Sequence, residues 1–286
     1  MTPIISSASC KNAYPLLYQL FINMTHLPAL TGWLWLKEGF ALFRKQPVEL
    51  STLFISYMFI MIGIGIIPVI GQIAPLILVP VFSLAFLSAS AQVRSGERVY
   101  PKLLFAAFRS PAIKSLLMLG TLQLVVGMLA LGVSVLVDGG VFWKVLSGET
   151  GMEPAVVAES NMGLAILAAA LVYLPAAMAF WYAAPLVAWQ KMSVSKAVFY
   201  SFFAVRQQFR AFVVYGLAWV AVGVILPTVA SLVLALMFNS ASLIVMVMMP
   251  LSMLLTVVLY SSFYITYTDV FPAPEQPVAA VIDAGA

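Results

Sequence analysis

Charge, histidine and cysteine are all scarce in this sequence. Of its 286 residues only 8% are charged, with 14 lysines and arginines against 10 aspartates and glutamates. His26 is the single histidine and Cys10 the single cysteine. Soluble domains carry about a quarter of their residues charged, so the polar surface of a soluble fold is missing. One cysteine excludes a disulfide within the chain. One histidine and one cysteine leave the usual metal sites and nucleophile–histidine pairs without ligands or a base. Neither a metal nor another cofactor is therefore expected. The Walker A loop, Gly-x-Ser-x-Gly, His-Glu-x-x-His and Gly-x-Gly-x-x-Gly are all absent from the sequence. No catalytic residue stands out, and the chain reads as a non-enzyme. A net charge of +4, with no dense basic cluster interleaved with surface aromatics, gives no case for nucleic acid.

What the chain has is apolar length. Hydrophobic residues make up 63% of it, and the mean hydropathy is +1.07. Six runs reach the ~20 residues that a membrane-spanning helix needs. They cover about residues 48–67, 73–91, 113–137, 162–189, 210–238 and 243–267. Pro68-Val-Ile-Gly71-Gln72 predicts a tight turn between the first two, and Asn239-Ser-Ala-Ser242 another between the last two. The fold class is all-α: a polytopic membrane protein of three helical hairpins in one domain over 24–271. Residues 1–23 fit poorly and read as a flexible extension or a mis-assigned start, with Met24 as the alternative beginning. Residues 272–286 form a polar, proline-containing tail expected to be disordered.

The distribution of cations fixes an expected orientation. Lys11, Lys37, Arg44 and Lys45 precede the first span. Arg94, Arg98, Lys102, Arg109 and Lys114 lie between the second and third. Lys191, Lys196, Arg206 and Arg210 lie between the fourth and fifth. The opposite loops hold Lys144 alone, with Asp138, Glu149, Glu153 and Glu159. By the positive-inside rule both termini are cytoplasmic.

Each pair of spans is preceded by an aromatic and basic segment. On a helix from Gly32, the residues Trp33, Leu36, Phe40 and Phe43, with Trp35 and Leu42 further round, share an apolar arc. Lys37, Glu38, Arg44 and Lys45 fall opposite, the pattern of a cytoplasmic helix lying in the membrane interface. Phe40-x-x-Phe43-Arg44 is matched by Phe105-x-x-Phe108-Arg109, and more loosely by Phe202-x-x-Val205-Arg206. Either the chain is a three-fold repeat, or three interfacial segments simply look alike. In both cases Arg44, Arg109 and Arg206 are the candidates for contact with anionic lipid headgroups.

Inside the bilayer the polar candidates are few. Gln123 lies nine positions past Lys114, about 13 Å along a helix. Its simplest role is an interhelical hydrogen bond rather than a substrate contact. Glu49 follows Pro47 and reads first as a carboxylate at a helix N-terminus. Asp269, at a span end, reads as solvated. Pro80, Pro175 and Pro250, in the second span of each pair, are read as kinks. The alternative is broken helices around a binding site.

The run Gly32-Trp33-x-Trp35-Leu36-Lys37-x-Gly39-x-x-Leu42-Phe43-Arg44-Lys45-Gln46-Pro47 resembles the opening of an uncharacterised family of proteobacterial inner-membrane proteins. The Pro68-x-x-Gly71 turn and the Phe105-x-x-Phe108-Arg109 segment fit the same family. More distantly, the layout is similar to the membrane domain attached to some bacterial glycerophosphodiester phosphodiesterases, whose catalytic half is absent here. The resemblance implies a location and a fold, and no activity. The expected function is non-catalytic association with membrane lipids or other membrane proteins. The rival is a transporter or channel for a neutral or amphipathic solute; an intramembrane enzyme, lacking histidine or cysteine in its spans, comes third.

Overall fold

The structure is a computed structural model and describes residues 26–68, 70–151, 160–238 and 240–271. All regular structure among these residues is helical. Six helical segments are long and apolar enough to cross a membrane, and the molecule is an all-α polytopic membrane protein. The proposed extension (1–23) and tail (272–286) lie outside the described residues.

The first unit comprises α1 (Thr31–Phe43), the span α2 (Pro47–Gly65) and the span α3 (Ile70–Ser95). In the second, α4 (Leu103–Arg109) precedes the span α5 (Ile113–Asp138), the short outer helix α6 (Val141–Leu146) and a fourth span. That span is split into α7 (Met162–Trp181) and α8 (Ala183–Ala188). The third unit has α9 (Val194–Gln207) and then a fifth span of α10 (Phe209–Val220), a π-turn (Ala221–Ile225) and α11 (Leu226–Phe238). The sixth span, α12 (Ala241–Val270), closes it.

Proline follows both interruptions of the spans but is carried without a break elsewhere. Pro75, Pro80, Pro175 and Pro250 all lie inside uninterrupted helices. The break between α7 and α8 falls at Tyr182, three residues before Pro185, whose ring and missing N–H disturb the preceding turn. Ser201 of α9 completes it. Its hydroxyl accepts from the Tyr182 N–H at 2.9 Å and donates to the Met178 carbonyl at 2.9 Å. Those are the two groups that an unbroken helix would pair with each other, so the side chain is inserted into the ladder. The π-turn is placed similarly, just ahead of Pro227, where the regular bond to Gly223 cannot form. The turn after Pro68 is tighter than expected, since α3 already starts at Ile70. A Cβ on Gly71 would lie within 2.7 Å of the Ile64 carbonyl oxygen, so only glycine fits there.

The units are joined in a ring. Each unit's first helix packs on the second span of the unit before it: α4 on α3, α9 on α7 and α8, and α1 on α12. The aromatic arc expected of α1 is divided by this packing. Gly32, Trp35, Leu36, Gly39, Leu42 and Phe43 are buried, whereas Trp33 and Phe40 are each 44% exposed. The reason is that α1 does not rest on the bundle with a single face toward lipid. It is wedged between α10 and α12, with Gly32 against Ala211 and Tyr215 and Gly39 against Ser262. A face carrying two glycines lets the backbones approach closely, and Trp33 and Phe40 are left on the outer side.

Burial is concentrated at the basic end, in the halves of α3, α8 and α12 nearest the connectors rich in lysine and arginine. All of α8 is buried, as is most of α3 beyond Pro80 and of α12 beyond Val257. Aromatic rings fill the space between them. Phe86 stacks on Tyr260 at 4.3 Å; Tyr182 meets Phe263, Tyr267 and Phe271; Trp189 meets Tyr267 at 5.0 Å. The opposite halves are loose. No residue of α11 is buried, and α11 packs mainly on α12 and its own π-turn.

Candidate functional site

The three arginines close corresponding helices. Arg44 caps the C-terminus of α1, Arg109 ends α4 and Arg206 lies in the last turn of α9. A cation there is favoured by the helix dipole. Spans one, three and five, which follow them, run in the same direction, so all three arginines lie at one end of the bundle. Each is exposed, and none forms an ion pair or side-chain hydrogen bond within the protein among the described residues. Arg94 differs. It donates to the Thr268 hydroxyl at 3.0 Å and lies 6.0 Å from the centre of the Tyr264 ring, which ties α3 to α12.

Glu49 is in the first turn of α2, two residues after Pro47 at the helix start, and needs no role beyond favouring that N-terminus. Asp269 is not merely solvated. Its Oδ2 accepts from the Trp35 indole N–H at 2.7 Å, fastening α1 to the end of α12. Asp138 accepts from the Gly140 and Phe142 backbone N–H groups at 2.9 and 2.7 Å, forming the corner into α6.

Gln123, itself only partly buried, lines a crevice of about 510 Å³ between α3, α5 and α7. The interhelical bond expected of it is not made; the amide has no partner within the protein among the described residues. Tyr173 lines the same crevice and also lacks one. A second cleft, about 470 Å³, lies between the fifth and sixth spans and is walled partly by Trp219, Gly223, Pro227 and Thr228. Its hydroxyls are turned back on their own helices: Thr228 donates to Val224 and Ser252 to Met249. Pro80, Pro175 and Pro250 do not converge on either space, although Pro227 and the π-turn border the second.

Several anchoring residues were not singled out in the sequence. Gln46 donates to the Glu97 carbonyl at 2.7 Å and accepts from the Val99 N–H at 3.2 Å, clamping the connector after α3 to the start of α2. Its place in the Arg-Lys-Gln-Pro run was the available signal. Replacing it with leucine is expected to open residues 96–102 to protease sooner, at a cost of about 1 kcal/mol; limited proteolysis followed by mass spectrometry measures this. His26 and Leu27 are held by Gln207 and Gln208 at the α9–α10 corner. No pattern in the sequence pointed to that pairing.

A curated relative matches this arrangement along nearly its whole length. A probable inner membrane protein of Burkholderia thailandensis is 36% identical over 260 residues, covering 89% of this chain and 96% of the relative. The chain belongs to that protein's family. No family model matches the chain, and no solved structure matches it.

Proposed function

We propose that this is a non-catalytic protein of a bacterial inner membrane, with both termini cytoplasmic, that gathers anionic lipids around its basic end. The observation that carries the reading is the set of three unpartnered, exposed arginines, each ending a helix at the same end of the bundle. A lysine or arginine at an anionic surface gains about 1 kcal/mol. Three of them at one end of the bundle favour anionic headgroups without any pocket. The exposed rings of Trp33, Phe40 and Phe105 beside them suit the headgroup level.

The rival transporter reading calls for a path through the middle. The rings of Phe86, Tyr182, Tyr260 and Tyr267 occupy that middle at the basic end, which favours association over passage. The Burkholderia relative, a probable inner membrane protein, supports the location.

The test is lipid composition. In native membrane discs the protein is expected to enrich anionic lipid over bulk, and Arg44→Glu with Arg109→Glu and Arg206→Glu is expected to return that ratio to bulk. Enrichment should also fall between 0.1 and 1 M salt, as the screening length drops from about 10 to about 3 Å. Unchanged enrichment in the triple variant, read by lipid mass spectrometry, overturns the proposal.

A further inference from the structure

The crevice holding Gln123 has a chemistry of its own, separate from the basic end. Gln123 is ten residues past the start of α5, about 15 Å into a hydrocarbon layer about 30 Å thick. An amide at that depth has no water to pair with, and the protein gives it no partner. Tyr173, on the antiparallel helix α7, lines the same space; its side chain is 52% exposed and its phenolic hydroxyl has no partner within the protein among the described residues. The remaining wall is apolar and includes Gly127, Ala130, Ala169 and Ala170, small residues that shape a slot. None of the lining residues is charged.

These features specify the occupant. It is neutral, because a buried charge would meet no counter-charge. It carries oxygen atoms able to accept from an amide N–H and a phenol O–H. It places those atoms near the middle of the bilayer. Phospholipids and diacylglycerols keep their oxygens at headgroup level, about 15 Å from Gln123 by the same rise. An isoprenoid quinone, a flat neutral ring with carbonyls on either side and an apolar tail, meets all three conditions. We propose that the crevice between α3, α5 and α7 binds an isoprenoid quinone, its carbonyl oxygens accepting from Gln123 and Tyr173 and its tail leaving sideways into the lipid. The volume of about 510 Å³ is within the range of small-molecule sites. The reduced form fits as well, since the Gln123 carbonyl accepts from a quinol hydroxyl.

A benzoquinone with a decyl tail is the probe, titrated against the full chain in discs of phosphatidylethanolamine and phosphatidylglycerol, with protein-free discs as the reference. Saturable binding at one quinone per chain is expected. Gln123→Leu is expected to weaken it about tenfold, the loss of a buried hydrogen bond. Gly127→Leu is expected to abolish it by filling the slot. A Cβ there meets nothing within 4 Å, so the fold accommodates the change. The triple arginine variant should bind normally, so failure here is distinguishable from failure of the lipid reading. Three results overturn the proposal: partition no greater than into empty discs, binding indifferent to both crevice variants, or displacement by an equal concentration of dioleoylglycerol.

Discussion

Gly39→Leu is expected to detach α1 from the bundle. A Cβ at position 39 would lie within 2.7 Å of the Ser262 backbone nitrogen, where ordinary carbon contacts are 3.5–4.0 Å. The obstacle is backbone in the middle of a long helix and cannot swing aside. Overpacking costs about 1–3 kcal/mol when neighbouring side chains yield; here the upper end is expected, with α1 displaced as a body. The Trp35–Asp269 hydrogen bond and the Trp35 ring contacts with Phe212 and Tyr215, at 5.3 and 5.8 Å, would go with it. Two measurements check this: resistance to denaturing detergent, which should fall, and tryptic cleavage at Arg44 and Lys45, which should accelerate. Gly32→Leu should behave alike, because a Cβ there would lie within 2.6 Å of the Tyr215 nitrogen. Leu34→Ala, on an exposed position of the same helix, should do neither.

Ser201→Ala is expected to be the most damaging loss of a single atom. The hydroxyl serves a buried and a part-buried backbone group across the break in the fourth span, the Tyr182 N–H and the Met178 carbonyl. Leaving a buried group unpaired costs about 1–3 kcal/mol, so the pair amounts to about 3 kcal/mol. The helix could recover part of this by straightening, but that would move Tyr182, whose hydroxyl donates to the Thr266 carbonyl at 3.1 Å amid rings of α10 and α12. Unfolding of Ser201→Ala in mild detergent should therefore begin well before that of the parent. Ser252→Ala is the control. Its hydroxyl only folds back on the Met249 carbonyl of its own helix, and a change within about 0.5 kcal/mol is expected. Equal stability of the two variants would remove the inserted hydroxyl from the account.

The spans were legible because hydropathy reports backbone satisfaction directly: a segment that cannot pair with water must be helical, and 20 apolar residues suffice to show it. The arginine positions were legible because each ends an aromatic segment next to a span. The division of α1 was not. Periodicity gives an apolar face but does not distinguish a face turned to lipid from one turned to protein, since both are apolar. The distinguishing residues were Gly32 and Gly39, seven apart, which add nothing to a hydrophobic arc and read as gaps in it. Ser201 was invisible for a related reason: a serine in a helix usually bonds its own turn, and only the fold brings it to another helix's break. Gln123 was recognised as polar at depth, but whether it had a partner depended on side chains across two neighbouring helices.

The position of α1 has a consequence for the order of synthesis. Chains emerge from the ribosome N-terminus first, so α1 is made before any span, yet its seat lies between the last two. Trp35 and Asp269 are separated by 234 positions. Until α12 has been translated, Gly39 has no Ser262 to pack against and Trp35 nothing to donate to. Closure of the ring is thus the final assembly event, and it is possible only for a chain translated through the sixth span. A product truncated before α12 would carry an incompletely seated first helix, with the Arg44–Lys45 segment more open to protease as a mark of incompleteness.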